Sequence, residues 1–178
     1  ITKLAIEKYA GMYHHLSGLP VICLRPSNAY GENQVPYLGQ GFVATAVASM
    51  FDGREIRIFG PHGAIRDYIH VEDVADGILA ALDKAEPGQT YNIGTGIGKS
   101  NRDVIDILTR FAESSGIPVR LSYMPERLFD VPVNILDSTK LTACTGWVPK
   151  TPLDAGLEKV WRHCSLQRQQ DGEAFITR

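Results

Sequence analysis

Pro20-Val21-Ile22-Cys23-Leu24-Arg25-Pro26-Ser27-Asn28-Ala29-Tyr30-Gly31 joins a short, unbroken apolar run to a polar turn. A run of that length and composition is what a strand buried on both faces of a parallel sheet looks like. The turn then sets Asn28 at the carboxyl end of the strand, where open α/β sheets bind ligands. The same pattern recurs at Ile65-Arg66-Asp67-Tyr68-Ile69-His70-Val71-Glu72-Asp73-Val74, where a strand runs into the acidic first turn of a helix.

The rest of the chain alternates in the same way. Residues 2–17 place Ala5, Tyr9, Met12, Tyr13 and Leu16 on one helical stripe, with Gly18 as a stop. A helix is expected directly after the strand at 20–24. Residues 40–51 fit a helix ending at Gly53, and 55–59 alternate as a strand. Val74, Ile78, Leu79 and Leu82 form the apolar face of the helix that Glu72 and Asp73 open. Pro87-Gly88 turns the chain into a strand over 90–93. Ser100 to Asp103 is a capping-box arrangement for a helix carrying Val104, Ile107, Leu108 and Phe111 and stopping at Gly116. A strand is expected over 119–123. The last helix has Thr151 as N-cap, Pro152 at the first helical position and Leu153, Leu157, Val160 and Trp161 inward, followed by a frayed polar tail. Helices alternating with short apolar strands predict an α/β fold.

A chain of 178 residues can hold one sizeable core or the back portion of a two-lobed enzyme. Its net charge of −2 argues against nonspecific nucleic-acid binding, so any anion site is local. Cys23, Cys144 and Cys164 are few, odd in number and widely spaced, which suits reduced thiols rather than a disulfide framework or a metal box. With no charged-then-apolar leader and no run of about eighteen apolar residues, the expectation is a soluble, cytoplasmic protein without a membrane span.

Single residues carry little. Gly94-Thr95-Gly96-Ile97-Gly98-Lys99-Ser100 fails as a phosphate loop, because Ile93 stands where a Walker glycine belongs, and it also misses the dinucleotide spacing. A tight strand-to-helix connection explains it. Asn28 either presents a donor to a ligand or bonds its own backbone in a turn. Arg66 stands beside Asp67, so an exposed ion pair would account for it, and His70 reads as a satisfied core histidine.

Taken in order, Thr2-Lys3, Arg25 to Gly31, Ile58-Phe59-Gly60, Arg66 to Ala75, Tyr91 to Gly96, Arg127 to Asp130 and Gly146-Trp147-Val148-Pro149 resemble the carboxyl half of the extended short-chain dehydrogenase/reductase family. The nearest group is its NAD-dependent nucleotide-sugar epimerases and dehydratases, of the UDP-glucose 4-epimerase type. The likeness runs from Ile1 to about Arg162. It implies that 1–35 and 65–100 belong to a Rossmann-like core, 36–64 and 101–165 to a small substrate-binding lobe, and 166–178 to a tail.

The resemblance also assigns roles. Lys3 would be the lysine of a Tyr-x-x-x-Lys pair, whose tyrosine precedes this chain, and would hold the NAD ribose. Pro26 and Ser27 would lie near the nicotinamide. Asn28 would bond the diphosphate region of a UDP-sugar, and Gly41 and Phe42 would cover the nucleotide. Backbone groups of Arg57 and Phe59 would read the uracil edge, with the Phe59 ring closing that pocket. Arg66 and Arg127 would clamp the diphosphate, and Asp130 would accept from ribose hydroxyls. Asn134 stands where some epimerases carry a bulky tyrosine, which suggests acceptance of N-acetylhexosamines. The family often has Gly-Pro after Asn-x-Tyr, whereas Glu32 follows Gly31 here. The 2–17 helix resembles half of a subunit's contribution to a four-helix dimer bundle. Without a Gly-rich fingerprint the chain itself is expected to be inactive and to hold no NAD. A 4,6-dehydratase or decarboxylase of the same fold, and a non-catalytic nucleotide-sugar binding module, are the other readings.

Overall fold

The computed structural model describes residues 2–127 and 129–176, with side chains up to 170. Ile1 and the last two residues of the expected tail lie outside the described residues. Helix α1 spans Thr2–Ser17, followed by strands β1 (Cys23–Pro26) and β2 (Asn28–Tyr30). Helix α2 is Phe42–Phe51, and strands β3 (Ile56–Phe59) and β4 (Ile65–His70) lead into α3 (Val71–Lys84). Next come β5 (Thr90–Ile93), β6 (Gly98–Ser100), α4 (Asn101–Ser114), β7 (Leu121–Met124) and β8 (Val133–Asn134), then α5 (Thr139–Thr145) and α6 (Leu153–Ile176).

The strands form three groups. β1 and β5 pair in parallel, Pro26 opposite Ile93. β3 and β7 pair in parallel, Phe59 opposite Met124. The largest group is centred on β4, which pairs in parallel with β2 and β8 and antiparallel with β6. β2 meets the Tyr68–His70 half of β4 and β8 the Ile65–Arg66 half.

Two apolar clusters hold these layers together. The larger joins α2, α4 and α6 over β3 and the inner face of β4, with Met50, Ile58, Ile105, Leu108 and Leu157 fully buried. Phe51 stacks on Trp161 with ring centroids 4.5 Å apart, a contact that adds to the apolar area buried. The smaller cluster sets Val74, Ala81, Ile93, Leu141 and Trp147 between α3, β5 and α5. The capping box at Ser100 and Asp103 is formed in both directions, and the backbone N–H of Ser100 holds the Asp103 carboxyl below its usual range.

Several expectations are corrected. No helix directly follows the first strand, because Asn28–Tyr30 continues as β2 and a loop leads to α2. On α3 the buried stripe is Asp73, Val74, Gly77 and Ala81, while Ile78, Leu79 and Leu82 are exposed. The helix is rotated toward Trp147, against which Gly77 packs so closely that an added methyl would lie 3.1 Å from the indole. Helix α6 begins at Leu153 and runs on to Ile176 instead of fraying after Trp161. The Thr151 N–H is held by the Asp73 carboxylate.

Candidate functional site

Strand pairing brings three of the candidate side chains together. Arg66 on β4 lies opposite Asn134 on β8, and Tyr68, the next residue on that face of β4, lies opposite Asn28 on β2. Residues opposite one another project from the same face, and alternate residues of one strand share it. Asn28, Arg66 and Asn134 therefore share one sheet face, with Asn28 and Asn134 in succession along one edge of β4. Below them the face closes over Tyr30, Tyr68 and His70, all buried. Burial pushes the Tyr68 phenol up, and the Arg66 charge opposes that shift. The Arg66 guanidinium donates to the Ile65 carbonyl at 2.8 Å.

A second group forms on β3. The N–H groups of Ile56 and Gly60 donate to the Arg120 and Met124 carbonyls, on the β7 side. Backbone direction alternates along a strand, so the N–H and C=O of Arg57 and Phe59 face the opposite edge, where no strand pairs among the described residues. The Arg57 side chain is exposed and lies 3.9 Å from Glu55. Arg127 sits over the Phe59 ring, its guanidinium carbon 3.5 Å from the centroid, a cation–π contact. The Asp130 N–H donates to the Arg127 carbonyl, which makes that loop a turn. The same loop ends on β4, where the Ile65 N–H donates to the Pro132 carbonyl. The two groups are thus joined by short connections.

The remaining candidates lie on α1, β1 and α2. Glu7 on α1 and Arg25 on β1 form a paired contact, 2.8 and 2.5 Å, and each side chain's hydrogen bond to the other lowers the Glu7 pKa and raises that of Arg25. Lys3 is one turn before Glu7, on the same helical face. Pro26 closes β1, and the Ser27 hydroxyl is buried with no hydrogen-bond partner among the described residues. Gly41 is the N-cap of α2 at φ 86°, without a side-chain cap. Phe42 opens that helix, half-buried against the larger core.

Asp67 and Asp73 make buried contacts that the sequence does not announce, and His70 is the core histidine expected, with one ring nitrogen unsatisfied among the described residues. Asp67 is fully buried and accepts from Thr95 N and Oγ1 at 2.9 and 2.5 Å, from Gly96 N at 3.1 Å and from Leu136 N at 3.3 Å. An exposed ion pair with Asp67 therefore does not account for Arg66, since Asp67 is buried and the two side chains leave opposite faces of β4. Gly94 is required nearby because any side chain would run into the Asp67 carboxylate. Asp73 accepts from Lys150 N and Thr151 N and ties α3 to the chain before α6. His70 is buried and caps α3, its Nδ1 accepting from Glu72 N; its Nε2, 3.4 Å from Glu32, has no hydrogen bond among the described residues. The alternation of Asp67 with Arg66 and Tyr68 is the one sequence signal that it points to the other face. Among the described residues no group of three His, Cys, Asp or Glu could hold a metal ion, and no helix is long and apolar enough to cross a membrane.

Parallel strand pairs alternating with helices give an α/β fold of the Rossmann-like type, in which ligands bind at the carboxyl ends of the strands. Residues 1–94 match the model of the NAD dependent epimerase/dehydratase family, and the chain belongs to that family. It is 36% identical over 157 residues to a UDP-glucose 4-epimerase of Mycolicibacterium smegmatis, a match covering 88% of this chain and 49% of that protein. A dTDP-glucose 4,6-dehydratase of Actinoplanes sp. is 29% identical over 157 residues, covering 88% and 47%. The crystal structure of Thermotoga maritima UDP-glucose 4-epimerase with UDP-glucose superposes with a TM-score of 0.84 at 34% identity, covering 92% of this chain and 52% of that one. The chain spans about half the length of these relatives.

Proposed function

We propose that this chain is the substrate-holding part of an NAD-dependent UDP-sugar 4-epimerase. The observation that carries the reading is the sheet face shared by Asn28, Arg66 and Asn134. Arg66 and Arg127 clamp the diphosphate, since a planar guanidinium offers paired donors to phosphate oxygens. Asn28 donates beside them. The open edge of β3 gives the uracil ring the N–H and C=O of Arg57 and Phe59, while the Phe59 ring closes over it and Asp130 accepts from the ribose. Gly41 and Phe42 cover the nucleotide. Residues 1–35 and 65–100 serve as core and 36–64 and 101–165 as substrate lobe.

Lys3, Pro26 and Ser27 are the residues that would hold the nicotinamide end of NAD, and the orphaned, buried Ser27 hydroxyl supports that fit. When bound, NAD supplies the hydride acceptor and donor of the family's chemistry. The protein's own part is to hold and orient the sugar and, through the Lys3 ammonium, to lower the pKa of a tyrosine that takes the sugar hydroxyl proton. Activity belongs to the whole protein. The exposed Tyr9, Tyr13 and Leu16 of α1 support a homodimer through that helix. Three free cysteines support a cytoplasmic setting.

Calorimetric titration of UDP tests the site. Arg66→Ala should weaken binding about ten- to a hundredfold, the range for a hydrogen bond to a charged group. No UDP binding by the wild-type protein would overturn the assignment. The half-length match to a dTDP-glucose 4,6-dehydratase favours one second reading, a dehydratase of the same fold; loss of water from the sugar, instead of inversion at C4, would identify it. The small Asn134 leaves room for an N-acetyl group, so turnover of UDP-N-acetylglucosamine is expected. Turnover of UDP-glucose alone would contradict that.

A further inference from the structure

The Gly94 to Ser100 stretch reads in the sequence as a bare connection, but its last three residues form β6, antiparallel to β4. Lys99 is thereby placed directly opposite Arg66. Arg66 is in turn opposite Asn134 on its other side. The three side chains project from one face in a row across β8, β4 and β6. Two like charges directly opposite on neighbouring strands destabilise a sheet, and no carboxylate lies within ion-pair distance of either among the described residues. Lys99 does act at longer range on Asp103, whose pKa it helps lower after the larger effects of the Ser100 contacts. That carboxylate is already engaged by the backbone N–H and hydroxyl of Ser100.

We propose that Lys99 is a further substrate-binding residue, completing with Arg66 a cationic row that receives the diphosphate of the sugar nucleotide. An anion between the two heads turns their repulsion into paired attraction, so the arrangement costs stability in the empty protein and returns it on binding. Lys99 presents a compact, freely rotating ammonium where Arg66 presents a fixed fork. It therefore supplies charge more than geometry, and its contribution falls as salt screens it. This inference rests on the reading of Arg66 as a diphosphate ligand.

The test is calorimetric titration of UDP, inorganic pyrophosphate and uridine into wild type, Lys99→Gln and Arg66→Ala, with thermal melts of each empty protein. Lys99→Gln is expected to weaken UDP and pyrophosphate about three- to tenfold, between the ranges for exposed ion pairs and charged hydrogen bonds. It should leave uridine unchanged and melt no lower than wild type. The loss should shrink at high salt. If Arg66→Ala loses UDP while Lys99→Gln binds it as wild type does, the Lys99 assignment falls and the Arg66 site stands. If neither variant changes UDP binding, both fall. Equal weakening of uridine, or a lower melting temperature, would mark Lys99 as structural and overturn the proposal.

Discussion

The side of the molecule built on α2, α4 and α6 is finished, whereas the side built on α1, β1 and α3 is open. In the first, Val47, Leu108, Ala112 and Leu157 have no exposed surface. In the second, α1 has no buried residue among those described, and Leu16, Leu79 and Leu82 are 72, 64 and 71% exposed. Both sides carry amphipathic helices, so the difference lies in what covers them. The finished side carries the sheet face with Arg66 and the edge of β3, on which Asn28, Asn134 and Arg57 are exposed. The open side carries Lys3, Pro26 and Ser27. The proposed nucleotide contacts thus fall on the finished side and the proposed nicotinamide contacts on the open one.

The largest effect that would break this contrast is on core truncation. Leu157→Ala should cost about 3 kcal/mol, within the usual range for a buried leucine, whereas Leu79→Ala should change stability by less than about 0.5 kcal/mol, as exposed sites do. Denaturant titration would show both, and equal losses would mean that the open side is covered in solution. Next comes Asp67→Ala, which strands the N–H groups of Thr95, Gly96 and Leu136. A loss of roughly 2 kcal/mol is expected, from the cost of unsatisfied buried donors. The same variant should also raise hydrogen exchange at Gly96 and Leu136, and unchanged exchange there would remove Asp67 as the tie between these segments.

The smallest effect sharpens the open side. Glu7 has a lowered folded-state pKa because Arg25 hydrogen-bonds its charged form. Stability from such a group is present above the unfolded pKa and is lost as pH falls through the folded one. Wild type should therefore lose stability relative to Glu7→Gln as pH drops below about 4.3, the unperturbed glutamate value. Parallel melting curves of the two proteins across acid pH would show that the pair does not hold α1 on β1.

Much of the fold is legible in the sequence because its signals are local. The Ser100–Asp103 box, the stop after α2 and the apolar period of α6 up to Trp161 all act within a turn or two of chain. β6 and β8 are not legible, because they are very short and owe their existence to pairing with β4, which no window on the sequence contains. The inward face of α3 is hidden for the same reason, since Gly77 has no side chain to register as apolar yet packs on Trp147. Among the proposed site residues, Asn28 is placed at a strand end by the sequence, while Arg66 stands out only through the family resemblance. Asp67 looks like an exposed partner of Arg66 because its true partners lie in other strands' loops. Lys99 belongs to a stretch that fails the phosphate-loop spacing, and only the β4–β6 register places its side chain opposite Arg66.

The most direct measurement is a map of backbone amide shifts on adding UDP. Perturbations are expected to centre on Asn28, Arg66 and Asn134 and on the Arg57 and Phe59 amides of the open β3 edge. Shifts confined instead to the groove of about 400 Å³ lined by Phe111, Trp161 and Arg162, with the β4 face unmoved, would rule out a nucleotide site on that face.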